Sequence, residues 1–368
     1  MPVWILLVAA LYVTGPAHAT PEEPAPDEKP APHIALVLPL KSAVFGRAAE
    51  AVQQGFLAAA KTQPNSIPVR VYGSFDESKD IVALYQHAVS SGARAVVGPL
   101  TRNGVATLTA YPEISVPTLA LNIAEAQGTD KLYFFGLTAE VEARQIARFA
   151  AAANLHNATV INSGTPLSSR LAQAFSEEWK TLGRSLATEI LYSNNPATLA
   201  DLPVGDGNMI FLAANAETAR MIRPYLSPAL PVYSTSQIFN GNTDPLTNFD
   251  LNDIRFVDMP WLLQPDHPAV MIYPRASPPL EPDMERLYAL GIDAFRLVQI
   301  MLNDSYGAGL PLDGVTGHIK LNDSRQFLRA AIPGLFKQGL GLTPEEAAIL
   351  DAPLPSASGV PATDTTQP

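Results

Sequence analysis

IALVLPL, residues 34–40, is the stretch from which the fold follows. It is apolar almost without a break, whereas a strand with one wet face would alternate apolar and polar residues. Such a strand is buried on both faces and sits centrally in a parallel sheet. Over 47–61, Ala48, Val52, Phe56 and Ala59 then recur at helical spacing, with Glu50, Gln53, Gln54 and Lys61 lying largely elsewhere. That pattern is a helix covering the strand. The alternation continues with strands over 69–72, 95–97 and 118–121 and a helix over 81–91. It restarts after residue 138 with helices over 140–153, 168–182 and 217–226 and strands over 159–162, 186–192, 209–212 and 232–234. Two strand–helix series joined by a mid-chain crossing imply an α/β protein of two Rossmann-like lobes, each with a parallel sheet flanked by helices.

Composition narrows what such a protein does. The formal charge is −11 and the pI about 5.0. No basic block is present, which argues against a nucleic-acid partner, since phosphate contacts need clustered Lys and Arg. There is no cysteine. Disulfides, thiolate metal sites, a cysteine nucleophile and a cysteine-borne lipid are therefore not expected, and the chain reads as an exported protein rather than a lipoprotein. Residues 1–19, MPVWILLVAALYVTGPAHA, carry an apolar run too short to span a bilayer, a Gly15-Pro16 break and small residues at Ala17 and Ala19. They read as a signal peptide directing the chain to the periplasm, although the usual basic flank is missing; an uncleaved anchor is the alternative. No transmembrane span is expected elsewhere, because no other stretch approaches the ~20 apolar residues required. Residues 20–32 read as a Pro-rich acidic linker and 349–368 as a disordered tail.

IALVLPL, Phe45-Gly46-Arg47, Gln53-Gln54-Gly55-Phe56, VVGPLTRNGV at 96–105 and PTLALN at 117–122 together resemble the type 1 periplasmic binding fold in order and spacing. More narrowly, with Phe135-Gly136-Leu137, Glu142, MERLYALGIDAF at 284–295 and Gly314-Val315-Thr316-Gly317, the chain is similar to the penicillin-binding protein activator family, also called LpoA or LppC. The resemblance covers about 33–335. It implies lobes joined by multiple hinge crossings, the first formed by 33–138 with about 255–305 and the second by 139–254 with about 306–348. It also implies an envelope protein that binds a bifunctional penicillin-binding protein, a peptidoglycan synthase, and stimulates its transpeptidase. Family members carry a lipid-bearing cysteine and a preceding helical-repeat domain, and this sequence shows neither.

A crevice at the carboxyl ends of the strands of two lobes is a natural place for a small-molecule ligand. The loops reaching it would present Ser42, Gly46, Thr101, Asn122, Ser163, Thr165, Asn215 and Ser236. Ser, Thr and Asn at such points are also the residues that cap helices, and Thr101 and Ser168 are the clearest cap candidates. An α-amino-acid ligand would need a carboxylate from the second lobe. The loop Ser234-Thr235-Ser236-Gln237 offers none, leaving Glu217 or Asp244 to supply it. The proline-studded segment 260–282 holds Trp261, Leu262 and Tyr273 with Arg275 nearby; if exposed, these would form a partner-binding patch, and otherwise they pack over the sheet. No catalytic residue, cofactor or metal is expected. His33, His87, His156, His267 and His318 stand singly and read as surface or turn residues, and no nucleophile elbow, phosphate loop or dinucleotide fingerprint occurs. The leading expectation is a non-enzymatic periplasmic regulator acting by protein contact. A solute-binding receptor of an ABC-type transporter comes second and an enzyme third.

Overall fold

A computed structural model describes residues 30–123 and 129–351. The signal-peptide reading, nearly all of the linker, and the tail beyond Asp351 lie outside these. The first lobe begins with β1 (His33–Leu38), α1 (Gly46–Lys61), β2 (Val69–Gly73), α2 (Glu77–Ser90), β3 (Ala93–Val97), α3 (Arg102–Thr109), β4 (Thr118–Ala120) and β5 (Leu132–Phe135). The chain crosses into α4 (Ala139–Ala152), β6 (Asn157–Asn162), α5 (Pro166–Thr181), β7 (Ser185–Leu191), β8 (Asn208–Ala213), α6 (Ala216–Ile222), β9 (Val232–Tyr233), α7 (Pro245–Asn248) and β10 (Ile254–Asp258). It returns for α8 (Pro260–Leu263), α9 (Pro268–Met271), α10 (Pro282–Leu302), α11 (Tyr306–Gly309), β11 (Leu312–Gly314), β12 (Gly317–Leu321) and β13 (Gln326–Ala330). A last crossing gives β14 (Ile332–Lys337), β15 (Leu340–Leu342) and α12 (Pro344–Asp351).

The first sheet runs β2-β1-β3-β4-β5-β13-β12-β11 and the second β7-β6-β8-β9-β10-β14-β15. The first five strands of each follow the doubly wound order in which the chain reverses direction beside its first strand, β1 or β6. Alternate side chains of β1 feed opposite cores. Ile34, Leu36 and Leu38 meet α1 and α10, while Ala35 and Val37 meet α2 and α3. In β8, Met209 and Phe211 face α4 and α5, and Ile210 and Leu212 face α6. Burial on both faces is why these strands read as continuous apolar runs.

Helices α1 and α10 meet backbone to backbone. A Cβ on Gly55 would lie 1.9 Å from the Tyr288 carbonyl oxygen, and one on Gly291 would lie 2.1 Å from that of Val52. Only residues without a side chain permit that approach.

Several expectations change. Residues 255–258 belong to the second sheet, where β10 pairs with β9, not to the first lobe. Residues 312–330 belong to the first, where β13 extends the sheet from β5, not to the second. Hydrophobic periodicity identifies a strand but not its neighbour. Residues 349–351 complete α12 and are not tail; Thr343 and Glu346 form a reciprocal box that starts this helix, with Glu346 N–H donating to the Thr343 hydroxyl and the Glu346 carboxylate accepting from Thr343 N–H. His33 is buried at the head of β1, hydrogen-bonded to the Ala31 carbonyl and the Tyr72 hydroxyl, and is not a surface residue.

Candidate functional site

The loops at the carboxyl ends of the first sheet build one wall of the crevice. Ser42, Thr101 and Asn122 gather there around a cavity of about 640 Å³. Its inner edge is fixed by Glu77, whose buried carboxylate accepts hydrogen bonds from the backbone N–H groups of Leu100 and Thr101. Burial pushes this carboxyl above its ordinary range even though Thr101 and Leu100 oppose the shift. Its mouth is apolar: Val44, Phe45 and Phe75 are 79%, 46% and 68% exposed, and the Lys41 ammonium lies 4.9 Å from the Phe75 ring centre.

The polar groups of the crevice are committed to the backbone. Thr101 accepts from Gly104 N–H as the cap of α3, and Asn215 accepts from Thr218 N–H as the cap of α6. Thr165, not Ser168, caps α5; the two form a reciprocal box in which Ser168 is the third helical residue. Ser42 accepts from Phe45 N–H, and its carbonyl takes the N–H of Gly46, which opens α1. Asn122 donates to the Leu100 carbonyl, and Ser163 N–H donates to that of Ala213. The side chains of Ser42, Thr101, Thr165 and Asn215 stand where the sequence places them, at strand ends, and do what such residues do best, which is to satisfy helix and loop amides.

Ser236 leads to a feature that sequence reasoning missed. It is buried, and its N–H donates to the Glu142 carboxylate on α4, while its carbonyl accepts from Arg286 on α10. Arg286 also bonds both oxygens of Asp258 at the end of β10, at 3.2 and 2.6 Å, and the Phe239 carbonyl at 2.7 Å. Glu142 pairs with Arg329 on β13, and Arg329 donates to the Thr316 carbonyl. Thr316 donates through its N–H and hydroxyl to Asp293, which pairs with Arg296. The result is a continuous seam, buried except at the partly exposed Arg296, that runs from the first lobe into the second, with Arg286, Arg296 and Arg329 set against Asp258, Asp293 and Glu142. Burial works against charge on Arg286, but Asp258 outweighs it and raises its pKa, so the guanidinium stays protonated. Beside the seam, Gln145 bonds both the carbonyl and the N–H of Ala331 at the last crossing. Glu142, Arg286, Asp293 and Thr316 all fall in the segments that carry the family resemblance; for Asp293 the signal is a single charge inside a locally apolar stretch of helix, LGIDAF.

A second tie crosses the crevice nearer the solvent. Glu140 of α4 bonds Arg102 of α3 at 3.1 Å and Arg170 of α5 at 2.8 Å.

The proposed partner patch is largely core. Trp261 is wholly buried, donates to Glu285 at 2.6 Å, and stacks under the Arg275 guanidinium at 3.8 Å. Tyr273 is buried and Leu262 packs against the same core, so these side chains pack over the sheet. In that segment the exposed apolar side chains are instead Met271 and Ile272. Asp244 caps α7 through Thr247, and Glu217 is exposed on the first turn of α6. Among the described residues there is no cluster of metal-ligating side chains and no helix long and apolar enough to cross a membrane.

Two doubly wound lobes joined by three crossings, with a crevice at the carboxyl ends of their strands, define the type 1 periplasmic binding class. Solved members of that class overlay on the chain. One is titled "putative branched-chain amino acid ABC transporter" from Chromobacterium violaceum, with a TM-score of 0.72 and 37% identity over 83% of this chain and all of that one. Another is the carboxy-terminal domain of LpoA from Haemophilus influenzae, titled a regulator of PBP1A, with a TM-score of 0.71 and 24% identity over 84% of this chain and 99% of that one. Residues 26–203 and 203–331 match the family described as "LppC putative lipoprotein", and the chain belongs to that family. A full-length relative, the penicillin-binding protein activator LpoA of Glaesserella parasuis, is 28% identical over 299 residues, 77% of this chain and 50% of its own. The chain thus spans about half the length of the relatives it matches. A family described as lipoproteins lends no support to the expectation of an unlipidated protein.

Proposed function

We propose that this chain is a periplasmic, non-catalytic regulator of peptidoglycan synthesis that activates a bifunctional penicillin-binding protein by direct contact. Its family membership supports the reading, since relatives in that family are named activators of penicillin-binding proteins. The observation that carries it over a solute receptor is the state of the crevice. The carboxylate that reaches the Ser234–Gln237 loop is that of Glu142, and it is spent on Arg329 and Ser236. A receptor for an amino acid needs that charge free for the ligand's ammonium. The exposed apolar rim of Val44, Phe45 and Phe75 has the character of an interface core, in which aromatic residues are enriched.

Activation through contact requires only that binding favour one of two synthase conformations by a few kcal/mol. The test is binding of the whole chain to a purified bifunctional penicillin-binding protein, with transpeptidase rate as readout. Binding with stimulation is expected, and the double substitution Phe45→Ser, Phe75→Ser should weaken binding at least tenfold with the thermal midpoint unchanged. Absence of binding defeats the proposal. A receptor of branched-chain amino acids is the second reading, favoured by the 37% identity to a chain of that title along its full length. A rise in thermal midpoint with leucine, isoleucine or valine and no synthase binding would establish it.

A further inference from the structure

A cavity of about 510 Å³ opens on the second lobe, where α4 packs on β10 and α12 on β14. Its walls are mostly apolar, with Ile146 and Phe149 of α4, Leu335 of β14 and Ala348 of α12 among them. Two of the residues that line it are polar, Tyr233 on β9 and Arg255 on β10. Arg255 lies toward the start of β10, whereas Asp258 at its end belongs to the seam. The cavity is therefore separate from the crevice.

Among the described residues the Arg255 guanidinium has no ion-pair or hydrogen-bond partner, and neither has the Tyr233 hydroxyl, although that residue is only 7% exposed. The guanidinium carbon lies 5.7 Å from the Tyr233 ring centre, within reach of a cation–π attraction that keeps the two groups together. Burial holds the phenol above its ordinary pKa, with Arg255 opposing, so the hydroxyl is protonated and can donate. Both groups are donors, and no carboxylate lines the cavity. A zwitterion would leave its ammonium unpaired there, and a sugar or peptide would bury hydroxyls and amides against apolar walls. One anionic, acceptor-only head on a body without other polar atoms satisfies every group present. The volume also falls within the ~300–1,000 Å³ of small-molecule sites, which pair apolar walls with a few polar groups that fix orientation. We propose that this cavity binds an apolar monocarboxylate, a medium-chain fatty acid, with its carboxylate on Arg255 and Tyr233 and its alkyl chain between α4 and α12. The site stands or falls separately from the regulator reading.

Calorimetric titration of the whole protein with sodium decanoate, kept below its micelle concentration, tests this. Decyltrimethylammonium, a tail of the same length on a cation, is the control. Decanoate should bind saturably at one site, and the cation should not bind. Arg255→Met should weaken decanoate binding about tenfold, the loss of a charge-assisted hydrogen bond, and Tyr233→Phe about threefold. Arg255 is exposed and phenylalanine keeps the Tyr233 ring, so both variants fold. The crevice-rim variant Phe45→Ser, Phe75→Ser should bind decanoate as the parent does. No saturable binding, equal binding of the cation, or undiminished binding by Arg255→Met overturns the proposal. So does loss of binding in the crevice-rim variant, which would place the fatty acid in the crevice instead.

Discussion

Gly55 and Gly291 each sit where a methyl group would enter a facing backbone carbonyl. In an exposed helix, replacing Gly by Ala gains up to about 1 kcal/mol from propensity. Here the neighbour is main chain and cannot rotate away, so overpacking wins. Gly291→Ala should destabilise by about 3 kcal/mol, the upper end for added core methyl groups, as a lowered denaturant midpoint with unchanged slope; a stabilised variant would show that the helices are not in register. Both glycines lie in segments, QQGF and LGIDAF, that stand out in the sequence. Their pairing did not, because contact between residues far apart in the chain leaves no local period. Burial of Trp261 was equally hidden: its prolines point to a loop, and nothing local says whether a loop's aromatic residue faces inward.

At the scale of elements, Glu140 ties three helices. Burial pushes its carboxyl up, but the amide at the start of α4 and the Arg170 and Arg102 guanidinium groups outweigh that and hold it below its ordinary 4.5. A carboxylate with a depressed folded pKa contributes stability that is complete above its unfolded value and is lost as the pH falls through the folded one. Stability should therefore decline below about pH 4.5, and Glu140→Gln should flatten that part of the profile; an identical acid limb in the variant would remove Glu140 from the account. Most elements of 33–302 were legible because each strand is buried on both faces and each helix on one. The last part was not. Strands β13 to β15 are short, mix charge with apolar residues and contain Pro333, Gly334 and Gly341, so neither continuous apolarity nor clean alternation marks them. Thr343-Pro344-Glu345-Glu346, by contrast, is a helix-start signature ahead of AAIL that a closer reading finds.

For the whole molecule, the question is whether the two lobes move. Hinged receptors close on ligand through a few crossing residues, and three crossings exist here. Yet Arg286 and Arg329, both over nine-tenths buried, join groups from both lobes. Opening would strip charged partners from one another, and breaking a buried pair by removing one member costs about 3–5 kcal/mol. Domain rotation against that penalty leaves the open state rare, so the seam acts as a lock that holds the two lobes in one arrangement. The absence of cysteine lets two introduced ones report on this directly: Gln54→Cys on α1 and Gln173→Cys on α5, spin-labelled, give an inter-lobe distance. A single narrow distribution is expected, unmoved by millimolar branched-chain amino acids, whereas Arg329→Met in the same background should broaden it by leaving Glu142 buried without its cation. Two distances in the parent protein, or a shortening on addition of an amino acid, would mean that the seam is a working hinge and would return the crevice to the role of a ligand trap.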